Sequence, residues 1–183
     1  RLRRFDLGHI TLDDGTERYF LGVIGADYAA DVIALTERFP RRWASPAMFA
    51  AAAIAASARL RAYPFALHTD DGRDLSGEYH LAAVGNTRTY GAGMAVCPSA
   101  DPTDGMLDLT LIRRVPLPHV HLVGLLRKAF SGGVVPDDDV TFHRVRSLRM
   151  ESPGRRLYAD GDPVGPLPAT VSCVPWAVDL VVP

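Results

Sequence analysis

Pro102-Thr103-Asp104-Gly105-Met106-Leu107-Asp108, running on through Leu109-Thr110-Leu111-Ile112-Arg113, decides how this chain is read. The Asp-Gly pair marks a turn, and behind it Leu107, Leu109 and Leu111 recur at every second position. Residues two apart share a face of extended chain, so Leu107 to Arg113 is predicted as a strand with its leucines on a core.

Working outward, the same signals repeat. Val140 to Glu151, Leu157 to Asp160, and Thr170 to Cys173 with Val178 to Val182 read as strands on one side. Gly91 to Cys97, Glu78 to Gly85 and Phe65 to Thr69 read as strands on the other, the last two joined by the polar loop Asp70-Asp71-Gly72-Arg73-Asp74. Leu7 to Leu12 and Arg18 to Ile24 flank Asp13-Asp14-Gly15-Thr16, a hairpin signal. Helices are predicted over Ala29 to Phe39, ended by Pro40, and over Ser45 to about Tyr63, where Ser45-Pro46 supplies an N-cap and a first-turn proline. A third is predicted over His119 to Phe130, stopped by Gly132-Gly133. The chain is thus expected to be mainly β, an antiparallel β-sandwich with two or three helices, forming one domain over residues 1–183. Met48, Phe49 and Ile54 on the alanine-rich second helix suggest the wall of an apolar acyl-chain pocket; alanines equally let a helix pack closely on a sheet.

Composition narrows the function classes. With 48% apolar and 22% charged residues over 183 positions, the chain is long enough for one well-cored domain. A net charge of −1 gives no broad basic surface for nucleic acid. No stretch approaches the roughly 20 apolar residues of a membrane span. Cys97 and Cys173 match no metal-ligand spacing and read as buried, inert thiols. The chain opens on Arg1-Leu2-Arg3 without a methionine or a signal peptide, as a piece of a longer polypeptide would.

Three glycine-punctuated turns carry the chemistry, each with a plain structural alternative. Asp104 either bonds its own turn backbone or, with nearby carbonyls, makes a hard-cation site suited to Mg²⁺ or Ca²⁺. Asp160 and Asp162 flank Gly161; either they form a hairpin corner, or they share a face of extended chain, where mutual repulsion makes one a usable base. Asn86 and Gly91-Ala92-Gly93 either let the backbone approach a ligand or mark a bulge. There is no zinc-type histidine spacing, no Gly-x-Ser-x-Gly elbow, and no glycine-rich nucleotide loop.

In order, these motifs resemble the C-terminal domain of the diacylglycerol kinase and sphingosine kinase family of lipid kinases, bacterial members included. Arg4-Phe5-Asp6-Leu7-Gly8 is similar to the segment after that family's nucleotide domain, and Tyr19-Phe20-Leu21-Gly22-Val23 with Gly25 to its next strand. Gly91-Ala92-Gly93-Met94 resembles its Gly-Gly-Gly-Met motif, with Ala92 for the middle glycine. Pro98-x-Ala100 with Asp104-Gly105-Met106-Leu107-Asp108 resembles its Pro-x-Ala-x3-Asp-Gly-x-Leu-Asp stretch, and Asp160-Gly161-Asp162 its late Asp-Gly-Glu.

The resemblance implies a cytoplasmic enzyme, peripheral to a membrane, that phosphorylates a lipid hydroxyl from ATP with Mg²⁺ in a cleft between two domains. It implies that the nucleotide-binding domain, with its Gly-Gly-Asp-Gly-Thr loop, lies outside this chain, which alone should not catalyse. By the same resemblance Asp104 would be the side-chain ligand of a structural Mg²⁺, with the carbonyls of Asp101 and Met106 beside it. Asp162 would stand for the late glutamate as catalytic base, one methylene shorter, with Asp160 as its partner. Asp6 would face the interdomain cleft near the substrate headgroup, with Asn86, Gly91 and Gly93 on the substrate side. The partner is a lipid at a membrane surface, with room for a homodimer. Two other readings remain: a non-catalytic lipid-binding sandwich, and a domain of the related NAD kinase fold, disfavoured by the Pro-x-Ala-x3-Asp-Gly stretch.

Overall fold

The computed structural model describes residues 1–26, 61–90, 93–115, 124, 128 and 136–182. Thirteen strands run through them: β1 (Leu2–Leu12), β2 (Glu17–Phe20), β3 (Val23–Gly25), β4 (Tyr63–Thr69), β5 (Gly77–Gly85), β6 (Thr89–Tyr90), β7 (Met94–Ala95), β8 (Leu107–Arg113), β9 (Val140–Val145), β10 (Ser147–Glu151), β11 (Arg156–Ala159), β12 (Asp162–Pro166) and β13 (Ala169–Val181). Every strand pairing among the described residues is antiparallel.

Eleven strands form a single hydrogen-bonded path, β12-β11-β3-β5-β4-β10-β13-β1-β2, with β8 and then β9 added on the other edge of β5. The path becomes a sandwich at β4. Tyr63 to Phe65 pair with β5, whereas Ala66 to Thr69 pair with β10, so one strand passes from one layer to the other. Ile10, Leu67, Leu148, Met150 and Val171 from one layer meet Ile24, Val84, Leu109, Leu111 and Leu157 from the other in one buried cluster. Leu107, Leu109 and Leu111 are each at most 1% exposed, as their alternation predicted, and each contributes about 1.5–3 kcal/mol of burial. The opposite face of β8 is covered too, where Ile112 packs with Val140, Leu81, Met94 and Phe142.

The antiparallel sandwich expected from sequence is therefore the fold, with corrections in detail. The strand expected over Arg18 to Ile24 is two: β2 pairs with β1 in one layer, while β3 pairs with β5 and β11 in the other. The strand expected over Val140 to Glu151 breaks at Arg146, where Asp70 Oδ1 accepts from the amides of Arg146 and Ser147, both at 3.1 Å. β9 thereby stays on β8 while β10 goes to β4 and β13. Of the strand expected over Gly91 to Cys97, the described residues, 93–97, form strand at Met94–Ala95, paired with Thr89–Tyr90. The two strands expected after Thr170 are one, β13. The helices expected over Ala29 to Phe39, Ser45 to Tyr63 and His119 to Phe130, and the pocket wall drawn on the first two, lie outside the described residues. The exceptions are Arg61 and Ala62, which belong to no element, Tyr63, which opens β4, and Gly124 and Lys128, which are helical.

Cys97 is fully buried, and desolvation pushes its thiol up to about 12; Cys173 is partly buried and pushed by the same cause to about 11. The thiolate is the reactive form, so neither thiol is reactive near neutrality. Thiol titration with a disulfide reagent at pH 8 is expected to find Cys97 silent and Cys173 slow in the folded chain, with both reacting at once in denaturant. Prompt reaction of Cys97 under native conditions would contradict this burial.

Candidate functional site

The hairpin joining β11 to β12 is a two-residue turn. Asp160 (φ 51°) and Gly161 (φ 94°) both lie in the left-handed region, between the paired residues Ala159 and Asp162. That is the turn the right-handed twist of a hairpin favours, and aspartate with glycine tolerates it best. Asp160 then turns back on the break between β2 and β3. Its carboxylate accepts from the amides of Leu21 (2.8 Å), Gly22 (2.9 Å) and Val23 (3.1 Å). A Cβ on Gly22 would stand 2.5 Å from Asp160 Oδ1, so this approach requires glycine. Asp162 opens β12 with its side chain exposed. The expectation that both carboxylates share one face assumed extended chain, and φ at Asp160 removes that assumption.

Asn86, just past β5, continues the connection inward. It is fully buried; its Nδ2 donates to Leu21 O and to Asp6 O, each at 2.9 Å, and its amide donates to Gly22 O at 2.8 Å. Asn86 Oδ1 has no hydrogen-bond partner among the described residues.

Asp6 does not face a cleft. It is fully buried at a register shift in β1, between Phe5 and Leu7. Oδ2 accepts from the Gly105 amide at 2.7 Å, Oδ1 accepts from the Trp176 amide at 2.8 Å, and its own amide donates to Pro102 O at 2.7 Å. Trp176 is thereby held at φ 52° in β13 with 67% of its surface exposed. Asp6 acts as a staple between β1, the 101–105 turn and β13. Gly91 lies outside the described residues; Gly93 sits at φ +90° with open space where a side chain would be.

Asp104 occupies the turn that Asp6 anchors. Its Oδ1 accepts from the Met106 amide at 3.0 Å, and its Oδ2 pairs with the guanidinium of Arg144 in β9. Asp101 O faces the Asp104 amide at 3.4 Å. The Asp101 side chain takes the amide and hydroxyl of Thr103, bonds that hold its carboxyl below the usual range. Beyond the turn, Asp108 is 3% exposed and its Oδ2 has no hydrogen-bond partner among the described residues. Burial holds the Asp108 carboxyl above the usual range, opposed by nearby Arg144 and reinforced by Asp104.

Among the described residues no group of three or more His, Cys, Asp or Glu side chains could hold a metal. A cation here would therefore need backbone oxygens. The turn offers the Asp104 carboxylate and its own backbone carbonyls, an oxygen-only donor chemistry of the kind hard cations take. That chemistry suits Mg²⁺.

A continuous hydrogen-bonded path thus runs from Asp160 through the amides of Leu21 and Gly22, Asn86 and Asp6 to Gly105, next to Asp104. It gathers two of the three sequence motifs, and the Asn86 end of the third, at one end of the sandwich. An open apolar groove of about 430 Å³, lined by Pro64, Phe65, Leu167 and Pro168 among others, lies at the other end of β13. Sequence reading missed the Leu21-Gly22-Val23 amides and Arg144. Gly22 offered a local signal for the first; nothing in the sequence around Arg144 marked the second.

Residues 22–182 match the family model described as the YegS C-terminal NAD kinase beta sandwich-like domain. This chain belongs to that family. The YegS-type domain is 37% identical over 179 residues to a diacylglycerol kinase of Mycobacterium tuberculosis, which covers 97% of this chain and 57% of the relative. A YegS-like lipid kinase of Pseudomonas putida is 26% identical over 177 residues, covering 95% of this chain and 56% of its own length. The chain therefore spans little more than half the length of the curated relatives it matches. Among solved structures, a diacylglycerol kinase from Bacillus anthracis superposes with a TM-score of 0.65 at 15% identity, over 98% of this chain and 53% of its own. At that identity the likeness shows the fold alone. No helix among the described residues is long and apolar enough to cross a membrane.

Proposed function

We propose that this YegS-type domain is the C-terminal half of an ATP- and Mg²⁺-dependent lipid kinase that phosphorylates a hydroxyl of a diacylglycerol or sphingoid-type lipid. The observation that carries this reading is the hydrogen-bonded path tying the Asp160-Gly161-Asp162 turn to the Asp104 turn at one end of the sandwich. The kinase names of its relatives support the reaction class. Their extra length supports a further half that would bind the nucleotide.

The residues divide the work as follows. Asp104, with the carbonyls of Asp101 and Met106, would hold Mg²⁺, which when bound supplies fixed positive charge to this end of the domain. Asp162, exposed at the hairpin, would accept the proton of the lipid hydroxyl on a carboxylate oxygen. Asp160 and Asn86 are positioning residues: the first clamps the hairpin that presents Asp162, the second joins that clamp to Asp6. Gly93 leaves open backbone for the substrate to approach. The enzyme would work in the cytoplasm at the surface of the membrane that carries its lipid, singly or as a homodimer.

Phosphoryl transfer rests on positioning and on neutralising charge around the phosphates, so this half alone lacks most of what the step requires. Labelled ATP, Mg²⁺ and diacylglycerol or sphingoid base should give no product with the 183-residue chain and clear product with a chain carrying both halves. Turnover by this chain alone would overturn the division of labour. A two-half chain that binds lipid vesicles without phosphorylating them would replace the kinase reading with a lipid-binding module.

A further inference from the structure

The Asp104 turn already has a cation built into the fold. Arg144 lies directly across from Asp108 in the register of β8 and β9, and its guanidinium pairs with Asp104 Oδ2. Oδ1 is committed to the Met106 amide at 3.0 Å, so Oδ2 is the carboxylate oxygen a metal ion would use. Two positive groups cannot both sit on that oxygen without strong mutual repulsion.

We propose that Arg144 is the resident counter-ion of this site: it neutralises Asp104 when no divalent cation is bound, and it must leave Asp104 for Mg²⁺ to enter. This rests on the metal reading given above. Arg144 thereby sets the affinity of the turn and gives it two discrete states.

A second feature supports the exchange. Asp108 is buried, its Oδ2 lacks a hydrogen-bond partner among the described residues, and Arg144 is its cross-strand neighbour. Arg144 thus pairs with one carboxylate while standing across the strand pair from a second. A released Arg144 retains an acceptor within its own strand pair, so its departure from Asp104 does not strand it. The Arg144 side chain is 53% exposed, so it has room to swing away, while Asp104 stays tied to the Met106 amide through Oδ1.

Calorimetric titration of MgCl₂ into the chain tests this, with Arg144→Met, Arg144→Lys and Asp104→Asn beside the wild type at fixed ionic strength. Arg144→Met should bind Mg²⁺ about tenfold more tightly, since a competing charge has been removed from the ligand oxygen. Its melting temperature should rise more steeply with added Mg²⁺ than that of the wild type. Arg144→Lys, which keeps the charge but loses the planar fork, should shift affinity in the same direction by a smaller factor, and it carries the test if Arg144→Met fails to fold. Asp104→Asn should abolish binding. Equal or weaker Mg²⁺ binding by Arg144→Met and Arg144→Lys, with Asp104→Asn still abolishing it, would overturn the counter-ion role and leave the metal site standing. Absence of binding in every protein would remove the metal site and this role together.

Discussion

Asp162→Asn, made in a chain that carries both halves, is expected to lose about 10²–10⁴-fold in kcat while keeping its melting temperature, the usual scale for removing a positioned base. The stability half of that expectation comes from position. Asp162 opens β12 with its side chain exposed, and the turn beside it is closed by the backbone and by Asp160, not by Asp162. An amide at this place keeps size and polarity and removes only the capacity to take a proton. Asp162→Glu extends the carboxylate by one methylene and should retain activity. A melt that collapses in Asp162→Asn would mean that the side chain holds the hairpin and that the base lies elsewhere.

The largest stability loss should come from Asp6→Ala. The substitution leaves the amides of Gly105 and Trp176 without their acceptor, in a place where the staple itself is fully buried. Each stranded amide costs about 1–3 kcal/mol, so denaturant unfolding should show a loss of about 2–6 kcal/mol. The damage should also be local: Trp176 has no reason to keep φ 52° once its amide is released, and its fluorescence should shift before the global transition. Trp176→Gly, which suits that backbone, should restore part of the loss in the Asp6→Ala background. Unchanged stability in Asp6→Ala would show that water replaces the carboxylate and that the staple contributes little.

Much of the scaffold was readable because its signals are local. The alternation Leu107, Leu109, Leu111 names its own strand and its own buried face, and Asp13-Asp14-Gly15-Thr16 names its own turn, closed by Asp14 Oδ1 on the Thr16 amide at 2.8 Å. What escaped is set by groups far away in the chain. The break after Phe20 is fixed by a carboxylate 139 positions later, and the break at Arg146 by one 76 positions earlier. A run of apolar residues cannot show where a distant acid will interrupt it. The resemblance implied a cleft position for Asp6; nothing local among Arg3, Arg4 and Phe5 marks it for burial, and the register shift in β1 coincides with its turning inward. At the site, the Asp-Gly turns were visible as turns. Whether Asp160 serves chemistry or architecture depended on the Leu21 to Val23 amides, which sequence does not place.

The bond from Asp6 to the Trp176 amide spans 170 positions. A ribosome adding about 5–20 residues per second needs on the order of ten seconds or more to cover that distance. Throughout that interval the Asp6 side chain lacks the Trp176 amide that completes its burial, even after the Gly105 amide has been made, so β1 must wait on the growing polypeptide instead of docking early. This end of the domain is therefore a late event in biosynthesis. Proteolytic trimming of the last few residues of β13 from a finished molecule should undo it first, while the leucine-lined core survives.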